Sequence, residues 1–260
     1  FVQPLFIAHH GSNHLCGWRI YPPRPRFNVI DGHSQTNIFF MTPSSSRNPY
    51  LIPFILVTSL FFLWAFLHNM NPILIPHLKK ACQLTDTQSA LIDTAVYIGY
   101  FVMALPAGWM MHRYGYKKGI LIGLLFYALG TLLFIPASSA RSYPLFLTAL
   151  FIVAGGATFL ETVANPYITK LGKPESAEQR LNFAQSFNGV GAFIAPILGG
   201  QFILSGIEYT HDQIQQMTSA ELTQYLTSEA GTVKGPYAVI TLVVVLVALL
   251  FLVVKIPEIK

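Results

Sequence analysis

Six apolar segments restrict this chain to folds that cross a lipid bilayer. A helix that spans the hydrocarbon core needs about 20 predominantly apolar residues, and the segments have or approach this length. Such a series predicts an all-α membrane protein with six transmembrane helices. The predicted spans cover residues 51–76, 90–111, 120–136, 145–168, 183–205 and 237–254.

The composition agrees with a membrane protein. Charged residues make up 10% of the chain and hydrophobic residues 53%, whereas soluble domains carry about 25% charged residues. The net charge of +5 is distributed over the predicted loops, which indicates membrane topology and no nucleic-acid partner. Cys16 and Cys82 lie in unrelated regions, so they indicate neither a disulfide framework nor a metal site.

Residues 1–40 differ in character from the remainder. They contain a proline- and arginine-rich tract and lack the charged and apolar regions of a signal peptide. We predict a disordered leader or a non-native upstream segment, followed by a transporter domain over residues 41–260. His9, His10 and His14 indicate a solvated tract rather than a metal site, and we predict no metal and no cofactor.

The Lys and Arg residues predict the orientation. With the amino terminus inside, nine of them flank the spans on the cytoplasmic side and four on the outer side. This distribution predicts a multi-pass protein of the cell (inner) membrane with both ends in the cytoplasm. The inner set is Arg47, Arg113, Lys117, Lys118, Lys170, Lys173, Arg180, Lys255 and Lys260, and the outer set is Lys79, Lys80, Arg141 and Lys234. The outer loop 206–235 is predicted to be a surface cap with a helix near 219–227.

Six helices with both ends inside form half of a twelve-helix carrier, in which substrate sites lie between repeats near the bilayer midplane. We therefore predict a fragment that is completed by a second six-helix half.

Glu161, within the apolar span 145–168, is the main candidate for chemistry. A carboxylate at this depth costs several kcal/mol unless it is paired, hydrated or protonated, and it indicates a substrate or ion pathway. The alternative is a neutral glutamic acid that bonds neighbouring helices. Asn165 follows at i+4 on the same face and can orient the carboxyl group, and Gly155 and Gly156 are typical of close helix packing.

Amide side chains extend this candidate site. In the first span, Asn69 and Asn71 precede Pro72, which predicts a kink or break that exposes polar groups to substrate. In the fifth span, Gln185 and Asn188 continue a stripe that begins at Asn182. Amides suit sugar hydroxyl groups because they both donate and accept hydrogen bonds. Bonds between helices are the alternative at both places.

The second span presents Asp93, Tyr97 and Tyr100 on one face. Because Asp93 lies near the outer end, either a hydrated carboxylate or a second proton acceptor is possible. The loop that follows contains Gly108, Arg113, Gly115 and Lys117. This pattern resembles the signature between helices two and three of the major facilitator superfamily, although His112 occupies the usual Asp position.

Further segments resemble one family of that superfamily over residues 48–260, the fucose–galactose–glucose:proton symporters. These segments are LFFLWA at 60–65, NPILIP at 71–76, LETVANP at 160–166 and NFAQSFN at 182–188. The resemblance implies transport of a monosaccharide with a proton by alternating access. It assigns Glu161 to sugar recognition and proton coupling, and Asn69, Gln185 and Asn188 to the sugar cavity. Pro72 stands where the family has a helix-one Asp.

That departure leaves alternatives open. Glu161 acts alone or with Asp93, or the protein is a facilitative or sodium-coupled carrier. A non-transporting, truncated half-domain is a further alternative. No HExxH, GxSxG or GxxxxGK[ST] motif occurs, so neither a membrane enzyme nor a nucleotide-driven pump is predicted.

Overall fold

The computed structural model describes residues 50–204, 206 and 209–257. In these residues the chain is almost entirely helical. The predictions for residues 1–40, including those for Cys16, His9, His10 and His14, lie outside the described residues. The helices are α1 (Leu51–His68), α2 (Asn71–Ala81), α3 (Asp86–Tyr114), α4 (Tyr116–Ala140), α5 (Tyr143–Lys170), α6 (Ala177–Phe202), α7 (His211–Gln216), α8 (Ser219–Gly231) and α9 (Lys234–Val253).

Five helical runs in the described part are long and apolar enough to cross a membrane. They are Leu51–Ala81, Asp86–Tyr114, Tyr116–Ala140, Tyr143–Lys170 and Ser219–Val253. Helix α6 is also long, at 26 residues, and it contains residues 183–202 of the predicted fifth span 183–205. Its amides and glycines lower its mean hydropathy, so it is not among these five runs. All six predicted segments are helical, and most of the helices extend into the polar residues that flank the apolar cores.

The predicted break in the first span is confirmed. Helix α1 ends at His68, and α2 begins at Asn71. The Asn69 side-chain amide donates to the carbonyl of Ala65 at 2.8 Å, beside the Asn69 backbone N–H at 3.0 Å. Pro72 lies in the first turn of α2, where a helix has no partner for an N–H group anyway. The hydrogen-bonding groups of the backbone at the break are therefore satisfied locally.

Helices α4 and α5 approach each other through glycines. A Cβ atom added at Gly156 would lie 2.7 Å from the backbone nitrogen of Tyr127 and 2.8 Å from the carbonyl oxygen of Gly123. Both atoms belong to the backbone of α4, which cannot move without shifting the helix. A Cβ at Gly155 would instead meet the flexible side chain of Met103 at 3.0 Å. Helix packing, the interpretation favoured for these glycines, is therefore confirmed.

This difference predicts contrasting effects of two neighbouring substitutions. We expect Gly156→Ala to destabilise the protein by about 1–3 kcal/mol, because overpacking forces the helix backbones apart. Gly155→Ala is the matched control, and the Met103 side chain can rotate away from the new methyl group. Thermal unfolding of both variants in detergent measures the difference. Equal midpoints would contradict a backbone contact at Gly156.

The outer loop differs from the prediction of a surface cap. The predicted helix near 219–227 is present as α8, but its carboxyl-terminal end is buried, with Glu229 only 2% exposed. The Glu229 carboxylate lies 3.7 Å from Nδ1 of His77 and 3.4 Å from Nζ of Lys80. The opposite ring nitrogen of His77 lies 2.9 Å from the Glu229 backbone oxygen. The Glu229 carboxylate thus attaches α8 to α2 through the buried His77 ring and the partly exposed Lys80.

Cys82, which follows α2, is a free cysteine. Burial raises the pKa of its thiol, which leaves less of the reactive thiolate at neutral pH. Its Sγ lies 3.8 Å from the carbonyl oxygen of Arg141. The thiol thus lies in a packing environment beside the backbone that precedes α5.

Candidate functional site

Glu161 lies well inside α5, about 13 Å along the axis from the helix end at Lys170, given a rise of ~1.5 Å per residue. Its side chain is exposed on the surface of the described residues. The carboxylate interacts electrostatically with His68 of α1 and Tyr100 of α3. A charged group on a membrane-crossing helix is thus presented on an open face, next to two polar rings.

Asn165 does not bond the Glu161 carboxyl group, which corrects the sequence-based expectation. Its side-chain amide donates to the backbone carbonyl of Glu161 at 2.9 Å. This carbonyl lies directly below an Asn at i+4, within easy reach of a short side chain. The Asn165 Oδ1 in turn accepts a hydrogen bond from Nε2 of Gln185 at 3.2 Å. The carboxylate therefore stays available for other partners.

The Gln185–Asn165 bond joins two predicted sugar-binding residues across α5 and α6. Gln185 and Asn182 are exposed, and Asn188 is half-buried on the same helix. The amide stripe therefore serves partly as an interhelical bond, the alternative interpretation from the sequence. Gln185 retains its side-chain oxygen as an acceptor on the open face, next to the Glu161 turn.

The two asparagines of the helix break have different environments. Asn69 directs its amide to the end of α1, as described above, which leaves its side-chain oxygen and its second N–H for a ligand. Asn71 of α2 lines a cleft whose other walls come from α1, α3, α4, α5 and α9. Its walls include Trp64, His68, Tyr100, Tyr127, Ala154 and Ala157. Ala157 lies one turn before Glu161, which is itself not among the residues that line the cleft.

His68 and Tyr100 also line this cleft, although no role was predicted for His68 from the sequence. Their rings make an edge-to-face contact with centroids 6.2 Å apart. The signal was present in the spacing: Trp64, Leu67, His68 and Asn71 lie at i, i+3, i+4 and i+7 on one helical face.

Asp93 does not join this group. It is exposed on α3 and lies two turns before Tyr100, about 10 Å along the axis at ~1.5 Å per residue. Tyr97, one turn from Asp93, is 67% exposed. A second proton acceptor at Asp93 would therefore act apart from Glu161, closer to the start of α3.

The signature loop forms the tight connection between α3 and α4. Gly115 has a φ of +85°, a conformation that glycine adopts most readily. The Arg113 guanidinium lies 5.9 Å from the ring centroids of Trp109 and Tyr114. Lys117 donates to the carbonyls of Leu252 and Val254 at 3.2 and 3.0 Å.

These contacts give Lys117 a structural role. A cation at the carboxyl terminus of a helix donates hydrogen bonds to the last carbonyls and interacts favourably with the helix dipole. It ties the loop to the end of α9. An added Cβ at Gly108 would meet nothing within 4 Å in the described residues. The contacts of this half alone therefore do not explain the glycine at position 108.

An all-helical, membrane-crossing domain with a carboxylate and amides on an open face has the features of one half of a secondary transporter. Comparison with known proteins identifies the family. The family model described as Major Facilitator Superfamily matches residues 54–260. The chain belongs to the Major Facilitator Superfamily. The expectation of a transport protein rather than an enzyme is confirmed by this membership.

Two curated relatives define the similarity more closely. The chain is 46% identical over 212 residues to the L-fucose-proton symporter of Escherichia coli K12, covering 81% of this chain and 48% of that protein. It is 42% identical over 225 residues to a glucose/galactose transporter of Brucella abortus, covering 86% and 51%. The chain thus spans about half the length of the curated relatives it matches.

A solved structure shows the same fold. The crystal structure of the Major Facilitator Superfamily transporter FucP in the outward conformation aligns with a TM-score of 0.72 at 46% identity. The alignment covers 81% of this chain and 51% of that one. A variant of the E. coli fucose:proton symporter aligns with a TM-score of 0.71 at 44% identity. The family resemblance read from the sequence motifs is therefore confirmed.

Proposed function

We propose that this chain forms the sugar- and proton-binding half of a monosaccharide–proton symporter in the cytoplasmic membrane. The substrate class is fucose, galactose or glucose, and the carrier works by alternating access with a second six-helix half. Both ends of the chain face the cytoplasm in this proposal. Glu161 carries the proton, and Asn69, Asn71, Asn165, Gln185 and Asn188 contribute to sugar binding.

The observation that carries the proposal is the unpaired presentation of Glu161. Its carboxylate lies on an open face of a membrane-crossing helix, while the nearby Asn165 and Gln185 bond to each other. Relatives with 46% and 42% identity are an L-fucose-proton symporter and a glucose/galactose transporter. A sugar needs both donors and acceptors, and the amides beside the carboxylate supply them.

The proposed mechanism follows from the cost of a buried charge. When the second half closes over the open face, an ionised Glu161 loses water and becomes expensive. Protonation from outside removes the charge, so the loaded carrier can reorient by rocking of one half against the other. Coupling requires that the proton and the sugar favour the same state, because a ligand with equal affinity for both states shifts nothing.

External pH in a weakly buffered suspension of cells that express the complete reading frame tests this proposal. Fucose, galactose and glucose are added in turn under a collapsed membrane potential. We expect one sugar to cause a transient alkalinisation, because each sugar molecule enters with a proton. The control is a non-metabolised sugar that the cells do not transport. Absence of any alkalinisation alongside rapid labelled-sugar uptake would contradict proton symport.

A facilitative or sodium-coupled carrier is the second candidate, and one observation favours it. Helices α1 and α2 contain no Asp or Glu, and Pro72, which replaces the acidic residue that the family resemblance implies, is exposed. A single carboxylate then has to couple alone. Sugar uptake that depends on sodium and ignores external pH would select this candidate.

A further inference from the structure

A second pocket lies where the amino-terminal end of α1 meets the turn between α5 and α6. Apolar side chains of α1 and basic side chains from the turn and the start of α6 line it together, among them Leu51, Phe54, Lys173 and Arg180. None of its lining residues belongs to the cleft at the helix break or to the amides proposed for sugar binding. The pocket is therefore separate from the proposed transport site.

Arg180 forms a rigid side of this pocket. Its guanidinium donates to the carbonyls of Ile168 and Thr169, near the end of α5, at 3.2 and 2.7 Å. It also donates to the carbonyl of Lys173 at 2.9 Å and to Oγ of Ser176 at 2.6 Å. These acceptors are all uncharged, and in the described part of the chain Arg180 makes no ion pair with a carboxylate. The guanidinium is thus fixed in position while its charge has no anionic partner there.

The bonds of Arg180 also leave it a donor. A guanidinium has five N–H groups, and the four bonds to the α5–α6 turn use one on Nε, two on Nη1 and one on Nη2. Within the described residues, the second N–H on Nη2 has no acceptor. Arg180 therefore retains both a positive charge and a hydrogen-bond donor for a bound anion.

Lys173 supplies a second cation to the same pocket. Its side chain is exposed and makes no hydrogen bond or ion pair with the residues that the structure describes. Glu175 and Glu178 follow closely in the chain, but none of the described residues that line the pocket is acidic. Glu178 also lies about 200° around α6 from Arg180, at ~100° per residue. The two basic side chains therefore face the pocket without a carboxylate among its walls.

The apolar wall of the pocket lies deeper in the membrane than its cations. Leu51, in the first turn of α1, is 54% exposed. The Phe54 ring stacks on Phe183 of α6, with the centroids 5.6 Å apart. Phe183 follows Arg180 by three residues, which is about 4.5 Å further along α6 at ~1.5 Å per residue. Basic groups thus lie where the helices end, and apolar groups lie about one turn further toward the bilayer centre.

We propose that this pocket binds an anionic phospholipid. The lipid phosphate accepts charge-assisted hydrogen bonds from Lys173 and from the remaining N–H of Arg180, and an acyl chain lies against Leu51 and Phe54. The proposed topology places the pocket at the cytoplasmic surface, where basic pockets between helices suit anionic headgroups. A zwitterionic headgroup carries a cation of its own, which the two basic side chains disfavour. The site goes beyond the proposed sugar transport and does not depend on it.

Binding to the protein from the complete reading frame, purified in detergent, tests the proposal by native mass spectrometry. The probes are dioleoylphosphatidylglycerol, dioleoylphosphatidylcholine and glycerol 3-phosphate. We expect one phosphatidylglycerol to bind about thirtyfold more tightly than phosphatidylcholine, because its net negative charge meets two basic residues. Glycerol 3-phosphate should not bind at the same concentrations, since it has no acyl chain to contact α1.

Variants at Lys173 locate the binding site. Lys173→Gln should weaken phosphatidylglycerol binding by about fivefold, the usual contribution of one basic residue at a membrane surface, and Lys173→Glu by about thirtyfold. Neither variant should change phosphatidylcholine binding. Lys255→Gln, which removes another exposed cation on the same predicted side of the membrane, is the matched control and should bind as the wild type does. The Lys173 side chain makes no contact that folding requires in the described residues, so both variants should keep the wild-type thermal midpoint without added lipid.

Three results would overturn the proposal. Equal affinities of the wild type, Lys173→Gln and Lys173→Glu for phosphatidylglycerol would show that the lipid binds elsewhere. Equal affinities for the two lipids would show an apolar groove that does not distinguish headgroups. Binding of glycerol 3-phosphate as tight as that of the lipid would assign the cations to a free phosphate compound. Each of these results leaves the proposed symport intact, because that is tested by the alkalinisation assay alone.

Discussion

Replacement of Glu161 by glutamine is expected to abolish proton-driven sugar accumulation and to preserve sugar exchange. Glutamine keeps the size and hydrogen-bonding capacity of the side chain but cannot bind and release a proton. The Asn165–Gln185 bond does not involve the carboxyl group, since Asn165 donates to the backbone of residue 161. The substitution therefore removes the charge without dismantling the amides beside it.

Two assays of this variant separate coupling from binding. Uptake of labelled sugar against a gradient, under an imposed pH difference, should fall to the level of cells without the carrier. Exchange of internal for external labelled sugar at equal concentrations should continue, because a permanently neutral side chain permits reorientation of the loaded carrier. Glu178→Gln, which neutralises an exposed carboxylate in the first turn of α6, is the control. Accumulation by Glu161→Gln at the wild-type level would refute the assignment of Glu161.

The sequence predicts the helices well because length and apolar composition decide whether a segment can cross a bilayer. The break in the first span was also predictable, since Pro72 cannot continue the hydrogen-bonding pattern of α1. The position of the break before the proline depends on Asn69, whose amide binds the end of α1. Composition alone describes α6 less well, because its amides and glycines serve contacts with other helices.

Contacts between distant residues mark the limit of prediction. Helical spacing placed Asn165 and Glu161 on one face but could not distinguish the carboxyl group from the backbone carbonyl as the partner of Asn165. Helical spacing likewise could not predict the edge-to-face contact of His68 with Tyr100, because the two residues lie on different helices. Glu229 is the clearest failure: among the acidic residues of a polar loop it had no distinguishing pattern, yet it is buried.

Both the side chain and the backbone of Glu229 make contacts that hold this residue in its buried position. Its carboxylate lies close to His77 and Lys80. Its backbone oxygen lies 2.9 Å from Nε2 of the His77 ring. Thr232 adds to the cluster with a hydroxyl 3.2 Å from the same ring nitrogen and 2.6 Å from the carbonyl of Ile203. The cluster therefore joins α8, α2 and the end of α6 on one side of the domain.

Glu229→Ala is expected to lower the free energy of unfolding by about 1–3 kcal/mol, since it leaves the buried His77 ring without its carboxylate partner and removes the ion pair with the partly exposed Lys80. Thermal unfolding in detergent measures this loss, and Glu175→Gln, at an exposed position in the turn before α6, is the charge-matched control. Because Glu229 lies apart from the cleft, the protein that remains folded should keep the wild-type ratio of protons to sugar. A thermal midpoint equal to that of Glu175→Gln would show that the cluster does not stabilise the attachment of α8. A changed ratio would mean instead that the α8 contacts take part in coupling.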